Sequence, residues 1–283
     1  MRQVGAGDTY DIPTHSKIVF RVYADSRPQV LQTAKLQKGI IIVCDGVELI
    51  EEGLGIGVPV CVYEDGTRFS LSADTYVDDT GNGLSVVKTF KINGIALRRF
   101  RGTVVKRGTY LDRFFRVLEK VYQHARRSGV VSLGLDLVSV LGVRNDYLES
   151  DSRGRITVTY TFTGTVVWIN ADITELVKEQ LQSIVFTNEL GGRWFSKYTD
   201  SDGTTLQGRE IGAWQKVLAE SATLKSPEFA LEFSVYRPKG WMMVRGREVV
   251  RNRISWSGLD LVSVGRPKEL HYRVEISGGS AND

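Results

Sequence analysis

The chain has 283 residues, 42% of them hydrophobic and 25% charged, with two cysteines and a net charge of +4. That apolar share excludes a disordered chain, and two cysteines exclude a disulfide scaffold or a four-cysteine metal site. No apolar run approaches the ~18 residues that span a bilayer, and the start MRQVGAGD lacks the apolar core of a secretory signal, so a cytoplasmic protein is expected.

Strand signals dominate the chain. They run in order through Lys17–Tyr23 (KIVFRVY), Gly39–Cys44 (GIIIVC), Val58–Tyr63 (VPVCVY), Arg155–Phe162 (RITVTYTF), Thr165–Ile169 (TVVWI), Phe229–Tyr236 (FALEFSVY) and Leu270–Ile276 (LHYRVEI). All are rich in β-branched and aromatic residues, and several alternate with period two. The pairs Asp45-Gly46, Asp65-Gly66, Asn93-Gly94 and Asp202-Gly203 predict tight turns between them.

Three helices are expected to interrupt the strands. In Leu111–Arg127 the residues Leu111, Phe114, Phe115, Leu118, Val121, Tyr122 and Ala125 form one apolar stripe at helical spacing. A second helix is predicted over 173–188, with Asp172 as N-cap and Glu175 in the capping-box position. A third covers Glu210–Ser221. Strands and helices do not alternate in βαβ order, so the fold expected is mainly β, a large antiparallel β-sandwich with two or three accessory helices.

An internal repeat sets the domain organisation. GLDLVSV at 134–140 recurs unchanged at 258–264. Two weaker matches lie upstream in the same order, Phe69-Ser70 with Phe195-Ser196 and 48–52 with 175–179. The reading is two divergent β-rich copies, 10–142 and 150–265, forming one compact unit. A closing strand at 266–276 and a disordered tail at 277–283 follow.

Basic residues concentrate in two places. Residues 96–127 hold ten basic side chains against Asp112 and Glu119, and 237–253 hold six against Glu248. Clustered cations attract polyanions, which makes a non-enzymatic polyanion-binding or assembly protein the alternative function. No nucleic-acid-binding motif accompanies the charge, and part of the first run is the solvent face of the 111–127 helix. An edge strand would offer a route to homo-oligomers.

Motifs for cofactors and metals are missing. The run Gly53-Leu-Gly-Ile-Gly57 precedes a strand, so no helix N-terminus stands ready for a pyrophosphate. His15, His124 and His271 sit in dissimilar contexts, and the acidic turns at 78–83 and 200–203 lack calcium-loop spacing. Neither a cofactor nor a metal is expected. Cys44 and Cys61 read as buried small hydrophobes.

The segment richest in chemistry is Asn188–Asp200, NELGGRWFSKYTD. Flat aromatic faces pack on the C–H faces of sugars, while Arg and carboxylates hydrogen-bond hydroxyls. Arg193, Trp194, Tyr198 and Asp200 are the ligand-binding candidates, with Glu210 and Trp256 beside them and Glu189 as a candidate general base.

With the Gly-Gly-Arg-Trp-Phe turn at 191–195 and the closing segment Arg266–Ile276, the chain resembles the galactose mutarotase-like β-supersandwich proteins. The resemblance implies a broad concave sheet that binds a carbohydrate, in a binding or aldose-epimerase-like role. Enzymes of that group open and close a pyranose ring with a His acid and a carboxylate base. None of the three histidines here matches the acid position, so binding without turnover fits the sequence better.

Overall fold

A computed structural model describes the chain except residues 6, 15–16, 29–34, 52, 80–82, 101–102, 106–108, 111–112, 115–116, 118–142, 213, 250–254 and 279–283. The described residues are mainly β, in a large antiparallel sheet. Alternation in sequence becomes alternation in burial. In the Arg155–Thr163 strand Ile156, Val158, Tyr160 and Phe162 are buried, while the threonines between them are not.

Hydrogen-bonded neighbours order the strands into two layers. The first runs Thr205–Gln207, Lys197–Asp200, Ser221–Ser226, Leu231–Tyr236, Glu269–Gly278, Val166–Asp172, Arg155–Thr163, Leu84–Phe100 and Thr67–Asp79. The second runs Thr9–Pro13, Ile18–Tyr23, Ile40–Cys44, Gly55–Tyr63, Leu181–Gly191, Ser255–Ser263, Trp241–Val249 and Gln215–Val217. They join through the hairpin between Val62 and Thr67.

The core lies between the layers. Phe20 of the second meets Phe162 of the first with ring centroids 5.3 Å apart. Polar groups cross it too. The Tyr160 hydroxyl donates to the Gly57 carbonyl at 2.9 Å, and the Tyr272 hydroxyl to Asn188 Oδ1 at 2.9 Å. Lys88 is fully buried on the 84–100 strand, and its Nζ donates to the carbonyls of Tyr23 (2.8 Å) and Lys38 (2.7 Å). Such groups are tolerated in an apolar interior because each finds a partner there.

All seven expected strands are present, and Cys44 and Cys61 are buried free thiols. Three expectations fail. The 173–188 helix is instead a turn followed by the Leu181–Gly191 strand. Asp172 accepts from the N–H and hydroxyl of Thr174, Glu175 pairs with Arg155, and Gln180 takes a positive φ of 59° that ends any helix. From Leu181 onward the backbone is claimed by strands on both sides, and pairing of that kind overrides local helix propensity.

The 210–221 helix shrinks to a 3-10 turn at Gly208–Ile211, stopped by Gly212 at a φ of 71°, before the strands Gln215–Val217 and Ser221–Ser226. Asn93-Gly94 is a register irregularity inside the Leu84–Phe100 strand rather than a turn, with Asn93 Oδ1 accepting the Leu71 N–H at 3.1 Å.

Of the 111–127 helix, Arg113, Phe114 and Val117 are helical and the rest lies outside the described residues. Phe114, assigned to the buried stripe, is 46% exposed. The first repeat copy at 134–140 also lies outside them, while the second occupies the 255–263 strand and its exit.

Two outcomes follow for stability. Gly57 has a φ of +77°, and a Cβ there would stand 2.7 Å from Tyr160 Cε1. Gly57→Ala is expected to lower unfolding free energy by about 2 kcal/mol or more in urea titrations. Burial lowers the Lys88 amine to about 7 from 10.5, with Asp25 opposing the fall. The unfolded chain then binds the extra proton above pH 7, so this group's contribution rises with pH. Between about pH 7 and pH 9, wild type should gain stability over Lys88→Met by up to ~1.4 kcal/mol per pH unit.

Candidate functional site

The Leu181–Gly191 strand lies between Gly55–Tyr63 and Ser255–Ser263. Alternation turns Asn188 inward to Tyr272, so Glu189 projects from the opposite, outer face of its layer. Cross-strand register then decides which side chains join it. Glu189 faces Gly258, which faces Gly246; Gly191 faces Trp256, which faces Glu248; Asp260 faces Val244. Glu189, Glu248, Trp256 and Asp260 therefore share one face of three adjacent strands.

Two glycines leave room there for an indole. A Cβ on Gly246 would stand 2.5 Å from Trp214 Cδ2, and one on Gly258 would stand 2.7 Å from Trp214 Cη2. Trp214 thus lies directly on the sheet, and its Nε1 donates to Glu248 Oε1 at 2.5 Å. Beside it, the Trp194 ring covers Gly191. Trp194, Trp214 and Trp256 are all half-buried, each keeping part of its surface open.

The carboxylates beneath are poorly hydrated. Burial pushes Glu189 up to about 7, against the Leu54 N–H that it accepts at 2.7 Å, and the negative charge of Glu248 adds to the rise. Asp260 is 5% exposed; burial and then the Glu189 charge hold it well above the usual carboxylate range, although it accepts the Asn188 N–H at 2.9 Å. In low polarity each of these two carboxyls opposes the ionisation of the other. Lys38, itself 5% exposed, donates its Nζ to the Gly53 carbonyl and favours the charged form of Glu189. Among the described residues no three His, Cys, Asp or Glu side chains are placed to hold a metal ion.

The candidates named from sequence separate. Glu189, Trp194 and Trp256 meet at this face. Arg193 is exposed, its guanidinium 5.9 Å from the Trp194 ring centroid. Tyr198 is fully buried and donates to Asp200 Oδ2 at 2.8 Å, and Asp200 Oδ1 accepts the N–H groups of Asp202 and Thr204, closing a hairpin. Glu210 accepts the Gln207 N–H at 3.0 Å and so serves the 3-10 turn. His271 lies on the other layer, bonded through Nδ1 to Asn170, while His15 and His124 lie outside the described residues.

Within the second basic run, Arg237, Arg245 and Arg247 each donate to backbone carbonyls, of Leu218 and Ala219, of Ile211, and of Gly192. Sequence reasoning missed Lys38, Trp214, Glu248 and Asp260. One of the four carried a signal, since Asp260 belongs to the repeated GLDLVSV, as does the Gly258 on which Trp214 sits.

No family model matches the chain, and no curated protein does. Solved structures with a similar course include the Slr1438 protein of Synechocystis sp. PCC 6803, with TM-score 0.45 and 10% identity over 98% of each chain. An alpha-N-acetylgalactosaminidase, NagBb from Bifidobacterium bifidum in complex with GalNAc, gives 0.49 and 9% over 100% of this chain and 36% of that one. A galactose mutarotase-like protein from Lactobacillus casei ATCC 334 gives 0.43 and 9% over 95% of this chain and 99% of that one. At these values the likeness is a weak resemblance of fold.

The carboxyl pair makes a checkable contribution to stability. Glu189 keeps its proton in the folded chain up to about pH 7, whereas a free glutamate loses it near 4.5. Its contribution is therefore complete below about pH 4.5 and lost as pH rises to 7. Relative to Glu189→Gln, wild type should lose up to ~1.4 kcal/mol per pH unit across that window in urea unfolding.

Proposed function

We propose that the protein binds a carbohydrate on the outer sheet face bounded by Trp194, Trp214 and Trp256. The observation that carries this reading is the seating of Trp214 on Gly246 and Gly258 beside Glu189 and Asp260. A pyranose ring has apolar C–H faces and a rim of hydroxyls, each both donor and acceptor. Flat indole faces match the first. A carboxyl pair in which one member keeps a proton and another is ionised offers a donor and an acceptor together, which matches the second. Sites of this kind combine apolar surface with a few convergent polar groups.

Glu189 and Asp260 are the hydroxyl-binding groups in this reading, and Glu248 orients Trp214 through the indole N–H. Arg193 supplies a further donor at the rim. Tyr198, Asp200 and Glu210 support the elements that flank the face and do not contact the sugar.

Isothermal titration against hexoses and oligosaccharides at millimolar concentration tests the proposal. Heat of binding with at least one sugar is expected, accompanied by a change in tryptophan emission. Trp214→Ala should weaken that binding about tenfold or more, the loss of one aromatic contact. Heat from no member of the panel would count decisively against it.

A further inference from the structure

The residues behind the carboxyl pair form a continuous chain of contacts. Lys88 Nζ, fully buried, donates at 2.7 Å to the backbone carbonyl of Lys38. Lys38 Nζ in turn donates to the carbonyl of Gly53. The same peptide unit presents the Leu54 N–H to Glu189 Oε2 at 2.7 Å. The carbonyl of Leu54 accepts the Gly39 N–H at 3.0 Å, so the segments carrying Lys38 and Leu54 are tied to each other as well.

We propose that Lys38 is a positioning residue which acts on Glu189 through the Gly53–Leu54 peptide, holding its carbonyl so that its N–H is fixed on and polarised toward the carboxylate. An ammonium on the carbonyl oxygen draws electron density from the peptide and strengthens the donor at its far end, as in any hydrogen-bonded chain of low polarity. The ammonium also attracts the carboxylate directly. Both effects favour the ionised form of Glu189.

The acids on this face oppose that. Glu248 projects from the 241–249 strand and Asp260 from the 255–263 strand; Glu51 lies beside Gly191, where it accepts the Ser255 N–H at 2.8 Å. Lys38 is a cation that stands against these acids and the burial of Glu189. Arg247 donates to Gly192 O at the end of the same strands, where Glu51 favours its charged form. Without Lys38, the proton on Glu189 is held to higher pH, and Glu189 is a weaker acceptor at neutrality. The interior amine of Lys88 holds the backbone from which Lys38 reaches out.

The proposal rests on the reading of this face as a sugar site only where binding is measured. Carboxyl carbon NMR of Glu189 across pH gives its midpoint without any ligand. In Lys38→Met the midpoint should rise by about one pH unit or more, a tenfold change in proton affinity, and Lys38→Arg should bring it back toward wild type. A folded Lys38→Met with an unmoved midpoint overturns the proposal.

Should Lys38→Met not fold, Glu189→Gln provides the reciprocal measurement. The Lys38 amine should then titrate about one unit lower, since linkage acts on both partners, and an unchanged Lys38 midpoint overturns the proposal equally. Sugar binding that is retained at acid or alkaline pH in step with the shifted Glu189 midpoint supports both readings. A shifted midpoint with no sugar bound by any variant supports this proposal and removes the carbohydrate reading alone.

Discussion

The two layers meet across an interior from which water is excluded, and several polar groups there find their partners on the opposite layer. Tyr160 reaches Gly57, Tyr272 reaches Asn188, and Lys88 reaches the carbonyls of Tyr23 and Lys38. Each of these contacts fixes one layer against the other in a single register, because an unmade hydrogen bond in that setting costs about 1–3 kcal/mol. Gly57 has no side chain because the Tyr160 ring occupies the place of one. The strand that carries Asn188 inward carries Glu189 outward, so the interior contact and the outer face are set by one alternation.

The outer face is built at the expense of stability. Burial of Glu189 and Asp260 side by side opposes their ionisation, and Gly246 and Gly258 give up side-chain packing to admit Trp214. A sheet selected for stability alone would place β-branched residues at such positions. Local departures from what a stable strand requires concentrate at sites with another purpose. The departures here coincide on three neighbouring strands, which separates this face from the Tyr198–Asp200 hairpin, where each polar atom serves the hairpin itself.

Much of the strand content was legible because burial on one side of a strand leaves a period-two trace. Residues 155–163 and 270–276 show it plainly. The 173–188 segment misled for a physical reason. Asp172 and Glu175 have the chemistry of a helix start, and that chemistry equally well closes a turn on Thr174 and an ion pair with Arg155. Which use prevails depends on the strands at 55–63 and 255–263, distant in sequence, that bond the backbone from Leu181 onward. Phe114 likewise matches an apolar stripe at helical spacing yet is exposed, since periodicity states which residues share a face and not what covers it.

The candidate site divides along the same line. Sequence alone determined that the chain folds as antiparallel β structure, that 188–200 concentrates aromatic and charged groups, and that Glu189 is a carboxylate worth attention. It also marked Gly258 and Asp260, as members of a repeated heptapeptide. Only the tertiary structure decided that Lys38, Glu189, Trp214, Glu248 and Asp260 belong together while Tyr198, Asp200 and Glu210 serve elsewhere. The reason lies in the range of the forces. Period and turn chemistry act over a few neighbouring residues, whereas the partners of Glu189 are assigned by cross-strand register and by burial, and its hydrogen-bond partner Leu54 is 135 residues away.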